Sequence, residues 1–211
     1  MSRPQKTHIS DNNELISTRE ALLRATLKLV EEKSFDAISL REVTRLAGVS
    51  PSAFYRHFNN MDNLGHTIVE ESFEFLRAGL KDVRTATHPR SLIGFRSVQC
   101  LNMFGTEYPQ RYHFICSGHN SGAASIRESI QEHWKVLRDD LQEDLADNPE
   151  LCHLSEQSRG MIADLMTSTM RGIAVDIVIG KSTEEERAKI LERGTKQLRL
   201  IMLGARQWED R

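Results

Sequence analysis

No run of 18 apolar residues occurs in this sequence, and its opening MSRPQKTHISDNN has no apolar stretch, so neither a membrane span nor a secretory leader is expected. Cysteine is scarce. Cys100, Cys116 and Cys152 are an odd, scattered set that suits reduced thiols in a cytoplasm better than a disulfide framework. Excess positive charge is missing too: the formal net charge is −2, so any nucleic-acid contact must come from a local cluster of donors. Cys116 and His119 form a lone C-x-x-H without the second compact pair that zinc requires, and no third residue marks a Cys-His nucleophile. No metal, cofactor or catalytic group is therefore expected. No alternating strand pattern is convincing, which leaves an all-α reading for a soluble chain of 211 residues, 39% hydrophobic and 27% charged.

Residues 1–16 are polar and read as a flexible tail. Ser17 with Glu20 has capping-box spacing, and Leu23, Leu27 and Val30 follow at helical intervals, which predicts a first helix to about Lys33. Ser39 with Glu42 repeats the box, and Leu40, Val43 and Leu46 or Ala47 form the inward face of a second helix that Gly48 ends. Ser50 caps a third helix, Pro51 suits its first turn, and it is over by Asn59. From Asp62 a long fourth helix runs through Leu64, Ile68, Val69, Phe73, Leu76 and Leu80. Further helices follow, with breaks at Gly105 to Pro109, Ser117 to Gly122, Asp147 to Pro149 and Gly180 to Thr183. Glu184, Glu185 and Glu186 then serve the start of the last helix.

Helix, glycine turn, short helix is the helix-turn-helix plan, in which the second helix enters a DNA major groove. Phe54 and Phe58 lie four apart and share one face, which would anchor the short helix against Leu23, Leu27 and Leu46. Ser50, Ser52 and Ala53 then stand at its exposed start, small enough for close approach to base edges, followed outward by Tyr55, Arg56 and His57. The same spacing occurs in helical hairpins that bind nothing.

In the second half, Phe95, Val98, Cys100, Leu101, Met103 and Phe104 share one helix, Phe114 and Ile115 another, and Met161, Met166 and Met170 a third. Flexible thioethers could line a cavity for apolar ligands, with Gln99, Asn102 and Thr169 as polar points; plain core packing explains the same residues. The last two helices carry broad apolar surfaces with small residues at Gly172, Ala174, Gly194, Gly204 and Ala205, which suits either a four-helix interface between two copies or a thick monomer core.

The run from Ser39 to Leu64, SLREVTRLAGVSPSAFYRHFNNMDNL, resembles the N-terminal signature of TetR-type transcriptional repressors, and the helical remainder fits their ligand-binding and dimerisation domain. A narrower likeness, carried by LREV, AGVSPSAFYRHF, NMDNLG and the later SGAASIRESI, is to the repressors of unsaturated-fatty-acid synthesis and desaturase genes. The resemblance implies a flexible tail at 1–16, a three-helix helix-turn-helix domain at 17–63 and a helical ligand-binding and dimerisation domain at 64–211. It implies a homodimer, paired through the last two helices, on double-stranded DNA with an inverted-repeat operator. It also implies a long-chain acyl-CoA or acyl carrier protein thioester as effector, the unsaturated form strengthening DNA binding. By position, Tyr55 and His57 would contact phosphates, Ser50, Ser52, Ala53 and Arg56 the groove, and Thr44 and Arg45 the backbone. Phe95, Val98, Gln99, Asn102, Met103, Ile115, Met166, Thr169 and Met170 would line the acyl site.

Two departures stand out. Many family members place a Lys where Met61 stands, leaving the amides of Asn63 or Leu64 as substitutes for that phosphate contact. The approach to the first helix, SDNNELIST, is acidic where relatives are often basic. A shallow dependence of DNA affinity on salt follows.

Overall fold

A computed structural model describes residues 8–9, 15–85, 93–117, 123–179 and 183–210. Ahead of the first helix, β1 (His8–Ile9) pairs antiparallel with β2 (Leu15–Ile16), His8 opposite Ile16. The sequence carries too few residues of alternating pattern to signal so short a ladder. Everything else with regular structure among the described residues is helical.

Helix α1 (Thr18–Val30) starts where Ser17 Oγ accepts from the amide of Glu20. The reciprocal half of the box is not made, because the Glu20 carboxylate accepts from Arg24 Nε at 2.9 Å instead. A 3₁₀ turn (Phe35–Ala37), absent from the sequence reading, buries Phe35 and leads to α2 (Leu40–Leu46). Here the box is complete: Ser39 Oγ accepts from Glu42 N, and the Glu42 carboxylate accepts from Ser39 N at 3.0 Å and from Lys33 Nζ at 2.6 Å. These donors hold the Glu42 carboxyl down at about 2, the lysine first among them and the Ser39 amide next. Gly48, at φ 66°, takes the left-handed conformation that lets the chain leave α2 and enter α3 (Pro51–Phe54). Leu46 does not join the inward face; it is exposed, and half-buried Ala47 takes that place.

The long α4 (Met61–Thr85) packs against α5 (Ile93–Glu107), α6 (Pro109–Ser117) and α7 (Ala124–Ala146). Two more helices, α8 (Glu156–Ile179) and α9 (Glu184–Ala205), complete the domain. The break between α5 and α6 narrows to Tyr108, inside the expected Gly105 to Pro109. Gly105 stays helical because the Tyr112 ring lies over it; a Cβ there would come within 2.9 Å of the ring. Pro109 then supplies the first residue of α6.

Between α1–α3 and the rest, α6 is the element that packs on α1, α4, α5 and α8 together. Phe35 meets Phe114 edge to face at 5.6 Å, Gln110 donates to Glu31 at 3.0 Å, and Ser125 donates to Asp62. Gly65 makes this junction tight: a Cβ would stand 2.6 Å from Phe35 and 2.7 Å from Ile126.

The small residues of α8 and α9 divide into two sets. Gly194 accepts Ile173, with 2.5 Å between that side chain and a hypothetical Cβ, and Ala174 and Ala205 are buried, so these three close α8 onto α9 within one chain. Gly172 and Gly204 have open space beside them, near exposed Leu165, Leu200 and Leu203. An apolar outer face therefore coexists with a packed inner one.

Candidate nucleic-acid interface

The short α3 is held from beneath and offered outward. Phe54 and Phe58 are buried, their rings 5.7 Å apart, in the same cluster as Leu22, Leu23, Leu27 and Val43. After Phe54 regular helix gives way to a turn in which the amides of His57 and Phe58 both bond the Phe54 carbonyl, at 2.9 and 3.0 Å. This carries Phe58 back to the core one turn after Phe54. Ser50 Oγ caps the helix by accepting from Ala53 N at 3.2 Å and lies 2.9 Å from Ser52 Oγ. The two hydroxyls therefore form one exposed pair at the leading end. Ala53 and His57 are half-buried, Arg56 is exposed, and Tyr55 is 61% exposed with its ring edge-on to Phe54 at 5.5 Å. Phenol, guanidinium and imidazole thus follow the small hydroxyls along one outward strip, with donors suited to phosphate oxygens and base acceptors.

Thr44 leaves the set of contacts expected from sequence. It is only 3% exposed, and its hydroxyl donates to the Leu40 carbonyl at 2.9 Å, so it serves the interior of the hairpin. Arg45 is exposed as expected, and Arg41 beside it was overlooked. The two lie four apart on α2, and with Arg56 they make no ion pair among the described residues. The signal was legible as a pair of arginines at i and i+4 on the polar side of the second helix. The amides expected to substitute for the missing lysine are already bonded within the chain. Asn63 N donates to Asn60 Oδ1 at 2.7 Å, Leu64 N to the Asn60 carbonyl at 3.2 Å, and Asn63 Oδ1 accepts from Asn59 N. The start of α4 is satisfied by its own asparagines, and exposed Asp62 adds negative charge.

Residues 22–66 match the model of bacterial regulatory proteins of the tetR family. The matched segment runs from α1 to the start of α4, so the likeness to that DNA-binding family covers the helix-turn-helix unit. Solved structures extend the likeness of fold over both domains. The fatty acid degradation regulator FadR of Bacillus halodurans superposes with a TM-score of 0.73 at 12% identity, covering 88% of this chain and 96% of that one. The SmeT–triclosan complex gives 0.71 at 18%, covering 89% and 90%. FadR of Bacillus subtilis with stearoyl-CoA gives 0.67 at 12%, covering 87% and 97%.

Behind the helix-turn-helix unit, the expected acyl residues do not gather at one site. Met166 and Met170 line an enclosed apolar cavity with Leu80, Ser97, Trp134, Leu137, Leu141 and Thr167, but its volume is about 20 Å³. Ligand pockets are usually roughly 300–1,000 Å³. Val98 and Ile115 are buried in the continuous core and Gln99 is half-buried. Phe95, at 46% exposure, and Met103 face outward instead, because the inner face of α5 is filled by Val98, Leu101 and Phe104. Asn102 is held by Arg187 at 2.7 Å, and the Thr169 hydroxyl donates to its own helix at Leu165. A groove of about 1080 Å³ beside Trp208 and Asp210 includes Met161 but otherwise has Arg138, Asp164 and other polar residues in its walls. Of the C-x-x-H pair, Cys116 is buried and His119 lies outside the described residues. No group of three metal-ligating side chains occurs among the described residues, nor any helix long and apolar enough to cross a membrane.

Proposed function

We propose that this chain is a homodimeric transcriptional repressor that reads an inverted-repeat operator through the α3 strip and answers to a long-chain fatty acyl thioester, controlling genes of unsaturated fatty acid metabolism. The observation that carries the DNA-binding half is the division of α3 by face: Phe54 and Phe58 buried, Ser50, Ser52, Tyr55 and Arg56 outward. Dimerisation through α8 and α9 is supported by their outer face, where Leu200 is 71% exposed and Gly172 and Gly204 leave room for close approach of a second copy. Two α3 elements one helical turn of DNA apart, about 34–36 Å or a multiple, make the operator an inverted repeat.

The acyl half is supported by the likeness of fold to a regulator holding stearoyl-CoA and by flexible Met166 and Met170 around the enclosed cavity. At about 20 Å³ the cavity is too small for an acyl chain as it stands, so an acyl chain would have to enter by parting the core. Binding and opening are then one event, and differential affinity for the open and closed forms sets the effect on DNA. A different hydrophobic effector is the competing reading, supported by the equally close fold of the SmeT–triclosan complex. Mobility shift of the gene's own upstream DNA, with oleoyl-CoA, palmitoyl-CoA and triclosan in parallel, separates the two. Stronger binding with oleoyl-CoA than with palmitoyl-CoA is expected; equal affinity with both removes acyl sensing and leaves the repressor standing.

A further inference from the structure

The core of the second domain contains a polar group that its packing does not explain. Tyr112, on α6, is 1% exposed, yet its hydroxyl has no hydrogen-bond partner among the described residues. Its ring is fixed from two sides, lying over Gly105 and meeting Phe104 edge to face at 5.5 Å. A phenylalanine would fill that space without stranding an oxygen. Burial pushes the phenol well above its ordinary range, so at neutral pH it is a donor.

The surroundings suggest what the donor is for. The buried thiols of Cys100 and Cys116 lie within electrostatic reach, the latter pushed up to about 12 by burial and therefore uncharged. Arg187 is the positive charge acting on the phenol. Its guanidinium ties α9 to α5, Nε donating to Asn102 Oδ1 at 2.7 Å and Nη2 to Thr106 Oγ1 at 2.9 Å. Asn102 and Thr106, which hold Arg187, flank the Gly105 that the Tyr112 ring covers, and an orphaned donor in an apolar core near a cation that bridges two helices suits a molecule that is mostly hydrocarbon and ends in an oxygen acceptor.

We propose that the Tyr112 hydroxyl is the hydrogen-bond donor for the carbonyl or carboxylate oxygen of an apolar effector, with Arg187 beside it at the α5–α9 seam favouring an acceptor of negative character. The assignment to an acyl carbonyl rests on the acyl-sensing reading above. The role of the hydroxyl as a donor to a ligand oxygen does not depend on the length or class of the apolar body.

Tyr112→Phe removes one oxygen and keeps the ring, which makes two readouts informative. Without ligand, its midpoint of thermal unfolding should equal or exceed that of the parent, since no native hydrogen bond is lost. Affinity for oleoyl-CoA, oleate and progesterone (a rigid apolar ketone) would be measured for both proteins by quenching of Trp134, which lines the enclosed cavity. For whichever probe the parent binds, the variant should bind about three- to tenfold more weakly, the range for one hydrogen bond. Loss against oleoyl-CoA supports both readings. If the parent binds progesterone but no acyl compound, and the variant loses affinity, the acyl reading falls and the Tyr112 assignment stands. Equal affinity of parent and variant for a bound acyl probe overturns the Tyr112 assignment and leaves acyl sensing in place. A clear drop in the unliganded midpoint overturns it as well, because the hydroxyl is then already paired. If the parent binds none of the probes, both readings fail.

Discussion

Arg111 on α6 forms an ion pair with Glu71 on α4 at 2.9 Å, and the other oxygen of the same carboxylate accepts from Arg19 at the start of α1. One side chain is thus shared between α1 and the helices α4 and α6 of the second half of the chain. Arg19 also stands 5.8 Å from the centre of the Phe58 ring, beneath the recognition strip. Double-mutant cycles in urea should separate the two arms. The half-exposed Arg19–Glu71 pair should couple by about 0.2–1 kcal/mol. The better-buried Arg111–Glu71 pair should couple more strongly than the Arg19 arm, because it is less screened by solvent. Equal couplings would mean that the carboxylate is not held between the domains as described.

Holding the strip down and holding it on DNA are separable tasks. Phe54→Ala should cost about 3–5 kcal/mol of stability, from lost burial and the cavity left behind, and operator binding should vanish with the fold of the hairpin. Tyr55→Phe should leave the unfolding midpoint unchanged, since that hydroxyl is exposed, and weaken operator binding by about tenfold or more through a lost charge-assisted bond. Circular dichroism and mobility shift on the same samples distinguish the two.

Salt dependence tests the sparse charge of the interface. With Arg41, Arg45 and Arg56 as the cations of each protomer, a dimer neutralises about six phosphates, so log affinity should fall with log salt at a slope of about −5. Arg41→Ala should flatten that slope by about 2 for the dimer, and Met61→Lys should steepen it by a similar amount while tightening binding. A much steeper slope in the unmodified protein would point to cations elsewhere in the chain.

Glu42 gives the chain a pH signature. Its carboxyl sits at about 2 in the folded protein against an ordinary 4.5, so the folded pKa is depressed. The contribution is therefore fully present above pH 4.5 and is lost as pH falls toward 2. Relative to the parent, Glu42→Gln should be at its greatest disadvantage above pH 4.5, with the gap closing as acid is added. Paired urea titrations from pH 6 to pH 2.5 measure that gap, and a gap independent of pH would remove the capping box as its cause.

The caps, the glycine stop and the anchoring pair were legible in the sequence because each is local: Ser39 with Glu42, Gly48, and Phe54 with Phe58 act within a turn or two of their own backbone. The errors share the opposite character. Leu46 and Ala47 compete for one face, and only the packing of α1 and α3 decides which of them turns outward. Thr44 carries a hydroxyl that sequence reads as outward, yet it bonds its own helix, an option open to any helical threonine. Phe95 and Met103 fit a helical stripe as well as Val98 and Leu101 do, and which stripe is inner depends on neighbours distant in sequence. The amides of Asn63 and Leu64 read as free for a phosphate, although Asn60 already accepts from both. Tyr112 gave no signal at all, since a single tyrosine on an apolar helix does not announce that its oxygen will be stranded.

The three cysteines fall into two environments, Cys100 and Cys116 buried and Cys152 exposed between α7 and α8. The unaltered chain therefore offers one readily reachable thiol, ahead of the helices whose outer face would join two copies. A spin label or fluorophore placed there reports the separation of two protomers without any substitution. The same probe, read with and without an acyl thioester, would turn the proposed coupling of ligand to protomer spacing into a measured distance.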